Sequence, residues 1–202
     1  MTEEESKSMG DIFPDLNGPE SPVISGVAND GSEAMITLRG IPDRPGCVTT
    51  VFTLLAEAGI NIDMIVQALA EHGDNGSISQ FGEPGATADV SLTVPEAQVR
   101  KASELIRANK DAIGYQSADT NTGIAKVSLI GVGMKTHSGI TARFFKALSD
   151  KGINVLMIST SEIRISAVVP LEDMKDAVRA VHTAFGLDAD SVEAVVYGGT
   201  GR

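Results

Sequence analysis

The chain has 202 residues, a formal charge of −11, 42% apolar and 4% aromatic residues and no tryptophan, which leaves room for one large or two small domains with a core of Ile, Val, Leu, Ala and Met. The acidic balance, with no cluster of Lys and Arg, argues against a nucleic-acid surface. Cys47 is the only cysteine, so no intrachain disulfide forms and a reducing interior with a small buried thiol is expected. No apolar run approaches the roughly 20 residues of a membrane span, and Met1–Glu5 lacks the basic start and apolar stretch of a signal peptide, so a cytosolic protein is predicted.

Residues 1–22 are acidic and rich in Pro, Gly and Ser and read as a flexible tail. A lone strand is expected near 23–30, beginning with the apolar run Val23 to Val27. Met35 to Gly40 reads as a strand stopped by Pro42, Pro45 and Gly46. Val48, Val51, Phe52 and Leu55 then recur at helical spacing, with Gly59 where a left-handed C-cap belongs. Ile60 to Gln67 alternates as a half-buried strand, His72 to Gly85 reads as a loop, and Ala88 to Val94 alternates again. Pro95 opens a helix with Val99, Ala102, Leu105 and Ile106 as its stripe, and Ala112 to Tyr115 is expected as a short closing strand.

The order β-α-β-β-α-β returns after Thr122, with strands expected at 126–130, 153–159, 164–169 and 192–197 and helices at 140–151 and 170–185. At an offset of about 93 residues Gly46 meets Gly139, Phe52 meets Phe145, Leu55 meets Leu148, and Gly59-Ile60-Asn61 meets Gly152-Ile153-Asn154. Each copy is predicted to be an α+β ferredoxin-like module, an antiparallel sheet with both helices on one face, paired through sheet edges or helices. The expected domains are 34–119 and 120–202, with strand 23–30 joining the sheet of the second.

In both copies a Gly-containing loop enters a helix whose first N–H groups lack intrahelical partners, an arrangement suited to a carboxylate. The start of the strand after each helix, with the exposed amides of Asn61 and Asn154, is expected close in space to this loop, so that a pocket for an α-amino acid forms between loop and strand of facing modules. Asp43 could take the ammonium group, whereas its counterpart Met134 cannot. The plainer alternative is that Asp43, Pro45 and Gly46 shape a turn and the asparagines cap helix ends.

Asp43-Arg44-Pro45-Gly46, Gly59-Ile60-Asn61-Ile62-Asp63-Met64, Lys126 to Gly131 and the run Ile158-Ser159-Thr160-Ser161-Glu162-Ile163-Arg164-Ile165-Ser166 resemble the tandem ACT domains of actinobacterial aspartokinases. The resemblance extends from about Val23 to the closing Val195 to Arg202. It implies two ferredoxin-like βαββαβ ACT domains that bind threonine or lysine as feedback effectors, in the branch of metabolism from aspartate to lysine, threonine and methionine. It further implies a short regulatory subunit of ACT domains only, assembled with a catalytic α subunit as a heterotetramer or with itself. The effector residues it implies are Asp43, Arg44, Pro45, Gly46, Cys47, Val48, Asn61, Ile62, Asp63, Gln67, Ile140, Thr141, Asn154, Val155 and Ser161. The chain departs from the family at Cys47, at Ala68 and at Ser138, where an acidic or small aromatic residue, an Asn and a Pro respectively are more usual, and in the loop 71–88.

No catalytic set stands out. Gly131 to Thr136 lacks the glycine a Walker motif needs before its Lys, His72, His137 and His182 show no metal-site spacing, and Glu162 with Arg164 reads as a same-face strand pair. No cofactor or metal is expected, and no segment offers what phosphoryl transfer requires. A non-catalytic regulatory subunit is therefore the first expectation. The alternatives are an assembly subunit without ligand and a free-standing ACT sensor serving another pathway.

Overall fold

In a computed structural model the described residues are 23–69, 71–72, 77–78, 85–134, 138–188 and 197–198. The tail 1–22 and most of the expected strand 192–197 lie outside them. In chain order the elements are β1 (Val23–Asp30), β2 (Glu33–Pro42), α1 (Cys47–Glu57), β3 (Ile65–Leu69), β4 (Glu71–His72), β5 (Ser77–Ile78), β6 (Thr87–Pro95), α2 (Glu96–Ala108), α3 (Lys110–Ile113) and β7 (Ser117–Asn121). They continue with β8 (Ile124–Val132), α4 (Ser138–Ser149), β9 (Met157–Thr160), β10 (Arg164–Pro170), α5 (Met174–Ala184) and β11 (Tyr197–Gly198).

The chain divides into two compact units, residues 32–124 and a second made of 1–31 with 125–202. In the first, β3-β6-β2-β7 form an antiparallel sheet. Alternate inward residues Ile36, Leu38, Val90, Leu92 and Val94 meet Val51 and Leu55 of α1 and Ala102 and Ile106 of α2 in one core. In the second, the order is β11-β1-β8-β10-β9, with β1 antiparallel to β8 and parallel to β11. There Val127, Leu129, Ile165, Ala167 and Val169 pack against Phe144 and Leu148 of α4 and Ala177 and Val181 of α5. Strand β1 thus belongs to the sheet of the unit that contains the C-terminal half of the chain, and Val27 sits in that core.

Helices α1 and α4 stop by the same device. Gly59 and Gly152 adopt φ of 69° and 70°, the N–H of Gly59 donates to Ala56 O and that of Ile60 to Leu55 O, and Gly152 and Ile153 repeat this with Ser149 and Leu148. These are Schellman caps, and the left-handed position favours glycine. They also explain why the strands expected from Ile60 and Ile153 begin only at Ile65 and Met157: the N–H of each isoleucine turns back to the helix, while Ile60 and Met64 still point into the interior.

Three expectations need correction. Ala112 to Tyr115 is not a strand, because Lys110–Ile113 forms a helical turn and Gly114 at φ 84° reverses the chain. Ile113 and Tyr115 are both buried, so their period-two spacing mimicked a strand. The true closing strand, Ser117–Asn121, is polar and exposed throughout and carried no apolar signal. Glu162 is likewise not on a strand with Arg164 but in the turn between β9 and β10. The expected loop 72–85 includes a short antiparallel pairing of Glu71 with Ile78 and His72 with Ser77.

Candidate functional site

The loop Asp43–Gly46 links β2 to α1. Its start is tied to the entry of β6 by Asp43 N–H donating to Ala86 O at 2.8 Å, and Arg44 N–H donates to Pro42 O at 2.9 Å. Gly46, the N-cap of α1, has φ 102° and no side-chain cap. Thr50 Oγ1 donates instead to Gly46 O at 2.9 Å. Cys47 is 6% exposed, and Arg44 Nε donates to its sulfur at 3.4 Å, which holds the guanidinium against the first turn of the helix. With no acidic residue in that first turn, the positive helix end and the cation together favour an anionic group.

Asp43 and Val48 are half-buried and Arg44, Pro45 and Gly46 exposed. At the far end of α1, Asn61 and Asp63 are exposed and Ile62 half-buried, with Asp63 N–H donating to Thr93 O at 3.1 Å. A helix of 11 residues at about 1.5 Å per residue is about 16 Å long. The loop and Asn61 therefore stand at opposite ends of one module rather than close in space as expected, because the whole of α1 lies between them. Gln67 lies between them on β3, an exposed edge strand, opposite Val90.

The second copy repeats this separation. Ile140, fully buried, and Thr141, half-buried, are in the first turn of α4, whereas exposed Asn154 and half-buried Val155 follow its far end. Ser161 returns to the loop end: its N–H donates to Arg164 O at 2.7 Å, and Gly131 N–H at the end of β8 donates to Ile163 O at 3.0 Å. Leu156 N–H donates to Val168 O at 2.8 Å, matching Asp63 and Thr93. Each module thus carries two clusters of candidate residues, a loop cluster and an Asn cluster, held apart by a whole helix.

Sequence reasoning missed Asp89. Its carboxylate accepts the N–H of Gly40 at 2.9 Å and stands 3.6 Å from Arg39, bracing the irregular register of β2 just ahead of the loop. A carboxylate on a half-buried strand was the available signal. The edge strands also expose Ile65, Val66 and Ile158 beside unpaired backbone, a surface suited to another sheet edge. Among the described residues no group of three or more His, Cys, Asp or Glu could hold a metal ion, and no helix is long and apolar enough to cross a membrane.

Two α/β modules, each with a loop-entered helix and a free sheet edge, define a tandem ACT-domain protein. Models of the ACT domain match residues 35–108 and 127–185. The aspartokinase of Mycolicibacterium smegmatis is 45% identical over 183 residues, which cover 91% of this chain and 41% of that enzyme. The ligand-free regulatory subunit of aspartate kinase from Thermus thermophilus is similar at a TM-score of 0.70 and 38% identity, over 81% of this chain and 99% of that one. A chain from a structure of aspartokinase alpha and beta subunits gives 0.70 and 36% over the same shares. The chain belongs to the family of aspartokinase regulatory ACT-domain pairs. The chain spans about two fifths of the length of the curated aspartokinases that it matches, 41% for the Mycolicibacterium smegmatis enzyme.

Proposed function

We propose that this chain is a non-catalytic, cytosolic regulatory subunit of aspartate kinase that binds threonine or lysine and transmits its presence to a catalytic chain. The observation that carries this reading is the separation of the two clusters in each module. About 16 Å along α1 is more than a free amino acid bridges, so a pocket that uses both clusters needs the Asn end of a facing module, and in this reading a second chain supplies it. Ligand binding and chain assembly are then one event, and an effector that prefers one arrangement shifts the population toward it.

In this reading Asp43 takes the ammonium group, and the end of α1 with Arg44 takes the carboxylate. Asn61, Ile62, Asp63 and Gln67 of the facing module close the pocket. Ile140, Thr141, Asn154, Val155 and Ser161 serve the second copy, where Met134 is buried at the position equivalent to Asp43 and the ammonium contact is lost. The partner is a catalytic aspartokinase α subunit in a heterotetramer, and the pathway is the one from aspartate to lysine, threonine and methionine.

Thermal unfolding of the chain, alone and with a catalytic partner, in millimolar threonine, lysine and each other proteinogenic amino acid tests this. A saturating effector raises the midpoint by mass action, and Asp43→Ala abolishes the rise. If no amino acid moves the midpoint in either setting, the chain is not a sensor. The second reading, an assembly subunit without effector, is favoured by Cys47, Ala68 and Ser138, which depart from the family around the loop and edge strand.

A further inference from the structure

A groove of about 260 Å³ lies between α2–α3 and β7 in the unit of residues 32–124, and none of the effector candidates lines it. Its floor is apolar, with Ile36 and Ile106 each 1% exposed and Tyr115 5% exposed. Its rim carries Arg107 and Lys110, and no carboxylate lines it, although the chain as a whole has a charge of −11.

Arg107 is not accounted for by the fold. Arg107 is in the last turn of α2, but the carbonyls it would cap are already taken: Leu105 O accepts from Asn109 N–H and Asn109 Nδ2, and Ile106 O accepts from Asn109 N–H. The Arg107 guanidinium has no hydrogen-bond or ion-pair partner among the described residues. Lys110 is pinned in place, its Nζ donating to Gln116 O at 3.1 Å and standing 5.4 Å from the centre of the Tyr115 ring. An ammonium has three donors, so two remain.

The internal repeat supplies a control. Aligning Pro95 with Pro170 places Val178 at the position of Ser103 and His182 at that of Arg107. Val178 packs against the core of its module, and among the described residues Gly186 follows α5 with no helix like the α3 turn that presents Lys110. In the second copy His182 is used by the fold, pairing with Asp188 at 2.8 Å, whereas Arg107 in the first copy has no such partner among the described residues.

We propose that this groove binds a small organic anion, a carboxylate or phosphate carried on an apolar body. Arg107 and Lys110 hold the charge by charge-assisted hydrogen bonds, and the body lies over Tyr115 and Ile106. This is a second site, independent of the amino-acid reading, since its lining shares no residue with it.

The test is amide chemical-shift titration of the full chain with sodium phosphate and, separately, sodium succinate, each against sodium chloride at equal ionic strength. Expected, with at least one of the two anions, are saturable shifts at the groove's own residues, Ile36, Ser103 and those from Ile106 to Thr120, distinct from any at the start of α1. Phosphate alone marks a phosphoryl ligand and succinate alone a carboxylate. Arg107→Gln and Lys110→Gln, both at exposed positions, each weaken binding about tenfold or more, while Asp43→Ala leaves it unchanged. Shifts that never saturate, that chloride reproduces, or that survive both Gln variants at full affinity would overturn the proposal, whatever the outcome with amino acids.

Discussion

Ser128 Oγ and Ser166 Oγ lie 2.8 Å apart, 2% and 4% exposed, across β8 and β10. The same strands of the other module carry Thr37 and Ser91 with oxygens 2.9 Å apart. Each pair puts two hydroxyls on the sheet face away from the helices, where Val127 and Leu129 point the other way. Removing one partner leaves the other buried without its hydrogen bond, at about 1–3 kcal/mol. Ser128→Ala and Ser166→Ala are expected each to destabilise by that order in urea unfolding, and the double variant by less than their sum. Strict additivity would mean the hydroxyls do not interact.

Asp89 supports the loop that enters α1 without belonging to it. Asp89→Ala leaves the N–H of Gly40 without its acceptor, at a cost of about 1–3 kcal/mol. The contact with Arg39 adds little, since that side chain is 54% exposed. Asp89→Asn keeps an acceptor and should lose less than half as much. Equal losses in chemical denaturation would show that the charge, not the backbone hydrogen bond, is what counts.

The repeat was legible because both copies bury the same spacing: Gly, an apolar stripe, then Gly-Ile-Asn. What stayed hidden had no apolar pattern. Strand β7 is an exposed edge of Ser, Ala, Asp, Thr and Asn, and the α3 turn placed Ile113 and Tyr115 in the core by a reversal at Gly114 rather than by strand alternation. The candidate residues could be named from the sequence, but their arrangement was misjudged. Asp43 precedes the helix and Asn61 follows its Gly59 cap, so the order in the sequence already sets them about 16 Å apart; reading the residues as one set passed over the helix between them.

The Schellman glycines set the direction in which each Asn cluster leaves its helix. Nothing lies within 4 Å of a Cβ built at Gly59 or Gly152, so Gly→Ala there costs only the left-handed backbone, about 1–2 kcal/mol. Gly59→Ala and Gly152→Ala should each lower the thermal midpoint by a corresponding amount, with Gly→Asn losing less. If Asn is as damaging as Ala, the loss comes from somewhere other than the backbone angle.

Asp188 gives the second unit an acid-sensitive tie. Its carboxylate accepts a hydrogen bond from Thr183 Oγ1 and pairs with His182 Nδ1 at 2.8 Å, and these hydrogen bonds hold its pKa below the ordinary 3.8. A carboxylate with a depressed folded pKa contributes stability that is complete above the unfolded pKa and is lost as pH falls through the folded one. Asp188→Asn should therefore lower the midpoint of unfolding at every pH above the ordinary carboxylate range. Below 3.8 the gap to the unsubstituted chain should close. A gap that persisted through strong acid would place the effect in the shape of the α5 terminus rather than in the charge, and a gap that opened only on acidification would reverse the sign of the linkage.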